Sequence, residues 1–393
     1  MTEHGLDLVR ARETFESSTD FTIGLEEEFA IVDPETLELA HRFEDLYDAC
    51  QDDELLSQSA AGELIAAEIE IRSGRSETFA AAMEHQREHR ARLFALAESM
   101  GLALGATGTH PWADYLEQRI IDTPHYRRLQ KDLGWVAQRN NTWSMHLHMG
   151  IRGADRAIAV CDWMRELLPL LLAASANSPF LDNRDTGLHS IRTEIFTRTF
   201  PRCGVHEPFG DWRTYAEFVE MLKSTGSIVE STQLWWSVRP HHLFGTVEVR
   251  ICDAQSRGEE SFALAALIAA CLAQTALDYD ERGYGDPLGQ RQVEENLWRA
   301  IRYGMDGKLI DFRAGGGPRE VETSAVLEEV LAWSAPAREL LGLDVELPAR
   351  NGAQRARQAL EGGASIAEIY ATALDETRRT YAGEGASANV ERP

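Results

Sequence analysis

The chain has 393 residues and a formal net charge of −25. Hydrophobic residues make up 44% of it and charged residues 26%, so it can bury a sizeable core and is not a disordered chain. Proteins that bind nucleic acid duplexes or anionic membrane surfaces need a basic face, which this acidic balance disfavours. We therefore expect neither nucleic acid nor a membrane as a partner.

The cysteines and the terminal segments indicate a compartment. The five cysteines are scattered without C-x-x-C spacing, which argues against a disulfide framework and favours reducing conditions. The N-terminal segment contains no apolar stretch typical of a secretory signal. The longest apolar run, residues 262–273, is shorter than the roughly 20 residues of a membrane span and predicts a buried helix. We expect a cytoplasmic protein; a homo-oligomer fits its size, although no motif indicates one.

The predicted elements describe one domain with two loose ends. Residues 1–20 are predicted to be loosely ordered, residues 21–382 to form a single domain and residues 383–393 to be a flexible tail. Strands are predicted at 21–32, 37–42, 102–106, 143–151 and 243–253. Helices are predicted at 76–100, 155–175 with a kink or break at Pro169, 211–224, 259–279, 290–303, 322–341 and 354–380. This pattern predicts an α+β protein with a helical C-terminal third.

The first predicted strand carries three adjacent carboxylates. Because side chains alternate along a strand, Glu26 and Glu28 share one face, while Leu25, Phe29 and Ile31 point the other way. Carboxylates inside an apolar strand repel one another and lose hydration unless a cation neutralises them. The pattern favours a divalent metal held by oxygen ligands, with a solvated edge strand as the alternative.

A second acidic segment, residues 62–71, contains Glu63, Glu68 and Glu70. Alternation at its end would place Glu68 and Glu70 on one face of a strand. A helical start would instead place Glu63 and Glu70 two turns apart on one side. The sequence leaves both pairings open, and a solvated charged face is an equal alternative.

Two further strands combine buried apolar faces with polar ones. His146 and His148 share one face of the strand at 143–151, where imidazoles can bind metal or contact phosphate, although core histidines also occur there. In the strand at 243–253, Glu248 and Arg250 share the face opposite its valines. These two residues form either a buried ion pair or a metal ligand beside an anion clamp.

Positive charge is concentrated at residues 189–202, which contain His189, Arg192, Arg198 and Arg202. In so acidic a chain this concentration predicts a local anion site, with neutralisation of surface acids as the alternative.

The sequence lacks the motifs of two common reaction classes. It has no G-x-S-x-G elbow for a nucleophilic serine and no G-x-G-x-x-G after a strand for a dinucleotide. Carboxylates on several strands, two histidines and several arginines suit phosphoryl transfer from a metal nucleotide. In that chemistry metals hold the phosphate oxygens and arginines stabilise the developing charge.

Four motifs, in this order, resemble those of the glutamate–cysteine ligase type 2 family, the bacterial carboxylate–amine ligases. They are GLEEEF (24–29), GTHPWADY (108–115), HLHMGI (146–151) and GTVEVR (245–250). The resemblance covers roughly residues 21–381. It implies a glutamine-synthetase-like fold, in which an antiparallel funnel-shaped sheet flanked by helices holds the metals.

The resemblance also implies ATP-dependent formation of a γ-glutamyl amide. The γ-carboxylate of glutamate, or of a similar acid, would form an acyl phosphate, from which an amine, in the type reaction that of cysteine, displaces phosphate. Ligands for Mg²⁺, or alternatively Mn²⁺, are expected at Glu26, Glu28, Glu63, Glu70 and Glu248. Nucleotide contacts are expected at His146, His148 and Arg198, and catalytic cations at Arg192 and Arg250.

Two other functions stay open at this point. A metal-dependent hydrolase could use His146 and His148 and would ignore ATP. A relative that binds a small molecule or metal without turnover would keep the same fold.

Overall fold

The computed structural model describes residues 6–382, so the tail predicted at 383–393 lies outside the described residues. The helices are α1 (Leu8–Glu16), α2 (Phe43–Gln51), α3 (Leu56–Ser59), α4 (Phe79–Ser99), α5 (Pro124–Leu133), α6 (Ala154–Ser175), α7 (Ile191–Thr199), α8 (Trp212–Ser224), α9 (Gly258–Arg282), α10 (Gln290–Tyr303), α11 (Thr323–Trp333), α12 (Ala335–Leu341), α13 (Gly352–Glu361) and α14 (Ile366–Tyr381). The strands are β1 (Ile23–Val32), β2 (Ala60–Ala61), β3 (Glu68–Arg72), β4 (Ala103–Gly105), β5 (Met145–Gly150), β6 (Phe180–Leu181), β7 (Arg184–Asp185), β8 (Cys203–Gly204), β9 (Trp235–Trp236), β10 (Val238–His241), β11 (Thr246–Val249), β12 (Lys308–Asp311) and β13 (Arg319–Glu322).

A seven-stranded sheet organises the chain. Its order is β10-β11-β5-β1-β3-β2, and β4 pairs with the C-terminal end of β1. Every pair in this sheet is antiparallel, which confirms the predicted α+β class. On β1, Glu26 lies between Arg72 of β3 and His146 of β5.

The apolar face of the sheet is covered by helices. Leu25, Leu147 and Val249 are fully buried and belong to the same core cluster as α6 and α9. Phe29 and Ile69 belong to a second cluster with residues of α4 and α14. The period-two pattern of the sequence therefore leaves the polar side chains of these strands together on the opposite face.

The N-terminal segment differs from its prediction. Residues 8–16, expected to be loosely ordered, form helix α1, which Asp7 caps by accepting hydrogen bonds from Val9 and Arg10 backbone N–H groups. Phe15 is fully buried beside Trp212, with ring centroids 5.6 Å apart. The apolar face of this charged helix supplies the packing that the composition did not reveal.

Several predicted helices have different limits in the structure. Helix α6 continues through the buried Pro169, so of the two predicted outcomes the break is wrong, and a kink at this residue stays a prediction. The helix predicted at 354–380 is divided at Gly363, whose φ of +95° disfavours other residues, and Ser365 caps the next helix. The helix predicted at 322–341 is also divided, and a β12–β13 hairpin interrupts the helical C-terminal third.

Helix α9 is apolar enough to span a membrane, with a mean hydropathy of 1.6 over its best window. Of the helices within residues 6–382, it alone passes that test of length and composition. However, 83% of the window is buried inside the protein, where α9 contacts α6, α12 and β5. This burial is what the core helix of a folded domain shows.

Candidate active site

The polar face of the central sheet gathers charged residues from four strands. The alternation places Glu26 and Glu28 of β1 beside Glu70 of β3, and His146 and His148 of β5 on their other side. Glu248 of β11 lies opposite His148 in the register. The faces predicted for these strands are therefore confirmed, and the predicted carboxylates and histidines lie together.

Three overlapping groups of side chains can each hold a metal ion. They are Glu26, Glu70 and His146; Glu26, His148 and Glu248; and Glu28, Glu63 and Glu70. Within each group, one ligand atom per residue lies within 4.8 Å of the others. Because the groups share Glu26 and Glu70, they form one continuous site along the sheet.

The two histidines connect the carboxylates of neighbouring strands. His146 Nδ1 lies 3.4 Å from Glu26 Oε2, and His146 Nε2 lies 3.6 Å from Glu28 Oε1. His148 Nε2 lies 3.4 Å from Glu26 Oε1 and 3.8 Å from Glu248 Oε1. Both imidazoles are thus placed between carboxylates, where they can act as metal ligands or donate to phosphate oxygens.

The structure resolves the pairing of Glu70 that the sequence left open. Glu63 lies on the loop between β2 and β3, and its carboxylate joins those of Glu28 and Glu70. Tyr126 holds this loop by donating a hydrogen bond to the Gly62 carbonyl oxygen at 2.6 Å. Glu68 shares the strand face of Glu70, but it lies outside all three groups.

Burial raises the pKa of the carboxyls near β3. It raises the pKa of Glu63 to about 7, and the negative charge of Glu28 adds to this effect. It also raises the pKa of Glu68 and Glu70 well above the usual range, with repulsion from Glu28 and Glu26 respectively as further causes. These groups lack enough positive charge among the described residues, so a cation would favour their ionised forms.

The carboxyls at the other end of the site are ionised. Burial alone would raise their pKa values, but at Glu26 the combined effect of His148, His146 and Arg72 outweighs burial and holds the pKa well below the usual range. Arg239 and Arg250 do the same for Glu248. Arg239 Nε donates to Glu248 Oε2 at 2.6 Å, and Arg250 is paired with the same carboxylate.

The pKa values of His146 and His148 are shifted in opposite directions. Burial disfavours protonation of both, but Glu248 and Glu26 outweigh it at His148 and raise the pKa. At His146, burial and the nearby Arg250 lower the pKa. The neutral imidazole is the form that binds metal, so His146 is suited to that role at neutral pH.

The donor set fits hard divalent cations. It is dominated by carboxylate oxygens, which Mg²⁺ and Mn²⁺ prefer, with imidazole nitrogens at its centre. Both carboxylate oxygens of Glu68 and Nε2 of His148 are buried and have no hydrogen-bond partner within residues 6–382. A cation bound at the neighbouring groups would favour the ionised form of Glu68, and it would give Nε2 of a neutral His148 a partner.

The two arginines predicted as catalytic have different positions. Arg250 lies at the site, with Nη1 at 3.4 Å from His146 Nδ1. Arg192 is buried at the start of α7 and donates to the backbone carbonyls of Ile251 at 3.0 Å and Arg250 at 3.3 Å. Arg192 thus holds the chain that leaves β11, and this contact positions Arg250.

Arg198, predicted to contact the nucleotide, is not placed in the cluster. Its side chain is 52% exposed and pairs with Glu194 of the same helix at 3.8 Å. This pair corresponds to the alternative in which the basic segment neutralises surface acids.

Three polar residues of the site were missed in the sequence. Arg72 continues the Glu68–Glu70 alternation on β3 and pairs with Glu70, and Ser144 donates to Glu28 Oε2 at 2.6 Å from its backbone and side chain. Alternation could have found both. Arg239 required the register of β10 against β11, which the sequence does not provide.

Known proteins resemble the chain over nearly its whole length. The family model described as glutamate-cysteine ligase family 2 matches residues 22–373. The "Putative glutamate--cysteine ligase 2" of Sorangium cellulosum is 39% identical over 345 residues, covering 88% of this chain and 89% of that protein. The "Putative glutamate--cysteine ligase 2-2" of Rubrobacter xylanophilus is 35% identical over 373 residues, covering 94% of each.

Two solved structures share the fold. A bifunctional glutathione synthetase from Pasteurella multocida matches 95% of this chain with a TM-score of 0.65 and 14% identity; this chain spans 54% of that protein. A glutamate–cysteine ligase from Francisella tularensis, solved in complex with AMP, matches 95% of this chain and 91% of its own with a TM-score of 0.63 and 12% identity. Identities this low show the fold alone. The family model and the curated relatives show more: the chain belongs to glutamate–cysteine ligase family 2.

Proposed function

We propose that this glutamate–cysteine ligase-like protein is an ATP-dependent carboxylate–amine ligase. It would form a γ-glutamyl amide, γ-glutamylcysteine when the substrates are glutamate and cysteine, and release ADP and phosphate. The observation that carries the proposal is the continuous site in which Glu26 and Glu70 each belong to two of three potential metal groups. The AMP bound to the Francisella tularensis ligase supports a nucleotide as a substrate.

The carboxylates would hold Mg²⁺, or alternatively Mn²⁺. Such ions, when bound, neutralise the phosphate oxygens of a nucleotide and favour transfer of its terminal phosphoryl group. Glu26, Glu28, Glu63, Glu70 and Glu248 are the residues that offer ligand oxygens for them. Glu28, Glu70 and Glu248 are buried and Glu26 and Glu63 partly so, which strengthens each electrostatic interaction at the site.

The chemistry divides into two steps. A carboxylate oxygen of the acid attacks the terminal phosphorus of ATP, and the bond to ADP breaks, which gives an acyl phosphate. The amine nitrogen then attacks the acyl carbon, loses a proton and expels phosphate. Neither step requires a covalent protein nucleophile.

The cationic residues have separate roles in this proposal. Arg250, beside His146, would stabilise the charge that develops on the acyl phosphate, and Arg192 would position it through the backbone. His148, held between Glu26 and Glu248, would contact the nucleotide phosphates. Arg198 has no nucleotide contact in this proposal, because it pairs with Glu194 at the surface.

The deciding experiment measures ADP and phosphate release from ATP with Mg²⁺, with glutamate present and amines added singly. We expect release that requires the metal, glutamate and one amine, together with an amide of matching mass. Absence of release in a folded protein that binds Mg²⁺, with every acid and amine offered, would contradict the proposal.

The family membership favours this ligase over the metal-dependent hydrolase. A cytoplasmic location and a homo-oligomer remain predictions.

A further inference from the structure

An exposed aromatic ring lies at one end of the candidate site. The turn between β10 and β11 exposes Leu243 and Phe244 to 59% and 58%, whereas the strands on both sides are largely buried. The ring of Phe244 stacks on that of His241, with centroids 4.3 Å apart and planes inclined by 13°. One face of Phe244 is thus supported from within the protein.

The Phe244 ring lies next to the imidazole of His148, which belongs to one of the three potential metal groups. The His148 ring lies 5.7 Å from the Phe244 ring and 5.1 Å from that of His241, measured between centroids. The same imidazole reaches Glu26 and Glu248, which complete the metal group at this end of the sheet. A ligand whose phosphates lie at that group can therefore extend towards Phe244.

Contacts with the segment at the end of α1 and beyond restrain this turn. Gly245 has a φ of +62°, and a Cβ at this position would lie 2.9 Å from the Thr14 carbonyl oxygen. Ser18 Oγ donates to the Gly245 carbonyl oxygen at 2.8 Å, and Gly245 N–H donates to the His241 carbonyl oxygen at 3.0 Å. These contacts restrain the backbone of the turn that carries Phe244, and the stacked His241 supports the ring itself, which lowers the entropy lost on binding.

We propose that Phe244, supported by His241, is the platform on which the purine base of the nucleotide stacks. The inference rests on the proposed function, since it assigns the phosphates of that nucleotide to the group of Glu26, His148 and Glu248. An aromatic ring beside a phosphate site suits a base, because bases present flat π faces that stack on aromatic side chains. Alanine substitution of such a ring weakens binding by roughly 5- to 100-fold.

The test separates the base from the phosphates. Binding of a non-hydrolysable ATP analogue and of inorganic tripolyphosphate, each with Mg²⁺, is measured by calorimetry on the full chain. We expect F244A to weaken the nucleotide analogue at least about fivefold and to leave tripolyphosphate within about twofold. F244W should restore nucleotide binding because it keeps the aromatic face.

The neighbouring Leu243 provides a matched control, since it has the same exposure without a π face. L243A should leave both affinities unchanged. Two outcomes would overturn the platform. One is that F244A and L243A weaken nucleotide binding equally; the other is that F244A weakens binding of the nucleotide analogue and of tripolyphosphate equally. If the parent protein binds neither ligand, the proposed function fails with it. If the parent binds both and F244A is unaffected, the platform alone is wrong.

Discussion

The carboxylate of Glu27 and the guanidinium of Arg90 form a buried ion pair on the face of the sheet opposite the candidate site. Gln86 Nε2 donates to the same carboxylate at 2.7 Å, and Ser261 Oγ also donates to it. Three adjacent glutamates of β1 therefore serve two purposes. The outer two face the site, and the central one is neutralised within the core.

Removing the charge of Glu27 should destabilise the fold without removing a metal ligand. Glu27→Gln leaves the Arg90 guanidinium buried without its counter-charge, and we expect the free energy of unfolding to fall by about 3 kcal/mol. Urea denaturation measures this loss. The exposed pair of Glu98 and Arg378 is the control, because Glu98→Gln should change stability by less than about 1 kcal/mol. Similar effects of the two variants would contradict a structural role for Glu27.

Glu28→Gln should weaken metal binding and turnover while leaving the fold intact. Its neutral amide weakens the group formed with Glu63 and Glu70, so turnover of ATP should fall by more than the roughly 100-fold seen for residues that only support a ligand. Mn²⁺ titration measures the loss of metal affinity, and release of ADP measures the loss of turnover. The circular dichroism spectrum should match that of the parent protein. Glu35→Gln, in the exposed turn after β1, is the control. Retained ATP turnover in the Glu28 variant would show that this carboxylate holds no required metal.

Glu68→Gln should stabilise the metal-free protein increasingly as the pH rises. Burial raises the pKa of Glu68 well above its usual range in the folded protein, so the neutral form is favoured there. The resulting stability is present at low pH and is lost as the pH rises towards the folded-state pKa. The glutamine variant cannot ionise and should escape this loss. The melting temperatures of the two proteins in chelator should diverge as the pH rises above about 4.3, the usual pKa of a glutamic acid. A constant difference would show that Glu68 is compensated in the folded state.

Arg250 and Arg198 should differ sharply in their effect on activity. Arg250 contacts Glu248 and lies near His146, so Arg250→Ala should lower turnover by about 100-fold or more. Arg198→Ala removes only an exposed pair with Glu194 and should change kcat/KM by less than about twofold. Steady-state kinetics with ATP and glutamate compare the two. A large fall of kcat/KM in the Arg198 variant would support the nucleotide contact predicted for Arg198 from the sequence.

Local alternation made much of the site accessible to prediction. The shared faces of Glu26 with Glu28 and of His146 with His148 follow from the geometry of any strand, and the structure confirms them. The helix at 212–224, with Asp211 as its N-cap, was predictable for the same kind of local reason. Helix α1 was not, because its stability depends on packing of Phe15 against a helix about 200 residues later in the chain.

The sequence by itself determined the α+β class, the acidic and histidine-bearing strands, and the motifs that indicate a ligase family. The tertiary structure decided which strands pair, and therefore that Arg239 neutralises Glu248. It also decided that the loop residue Glu63 joins Glu28 and Glu70, and that Arg198 of α7 stays outside the site. The physical reason is that alternation along a strand is a local property of the backbone. Which charges meet across strands depends on register and loop path, and long-range packing sets both.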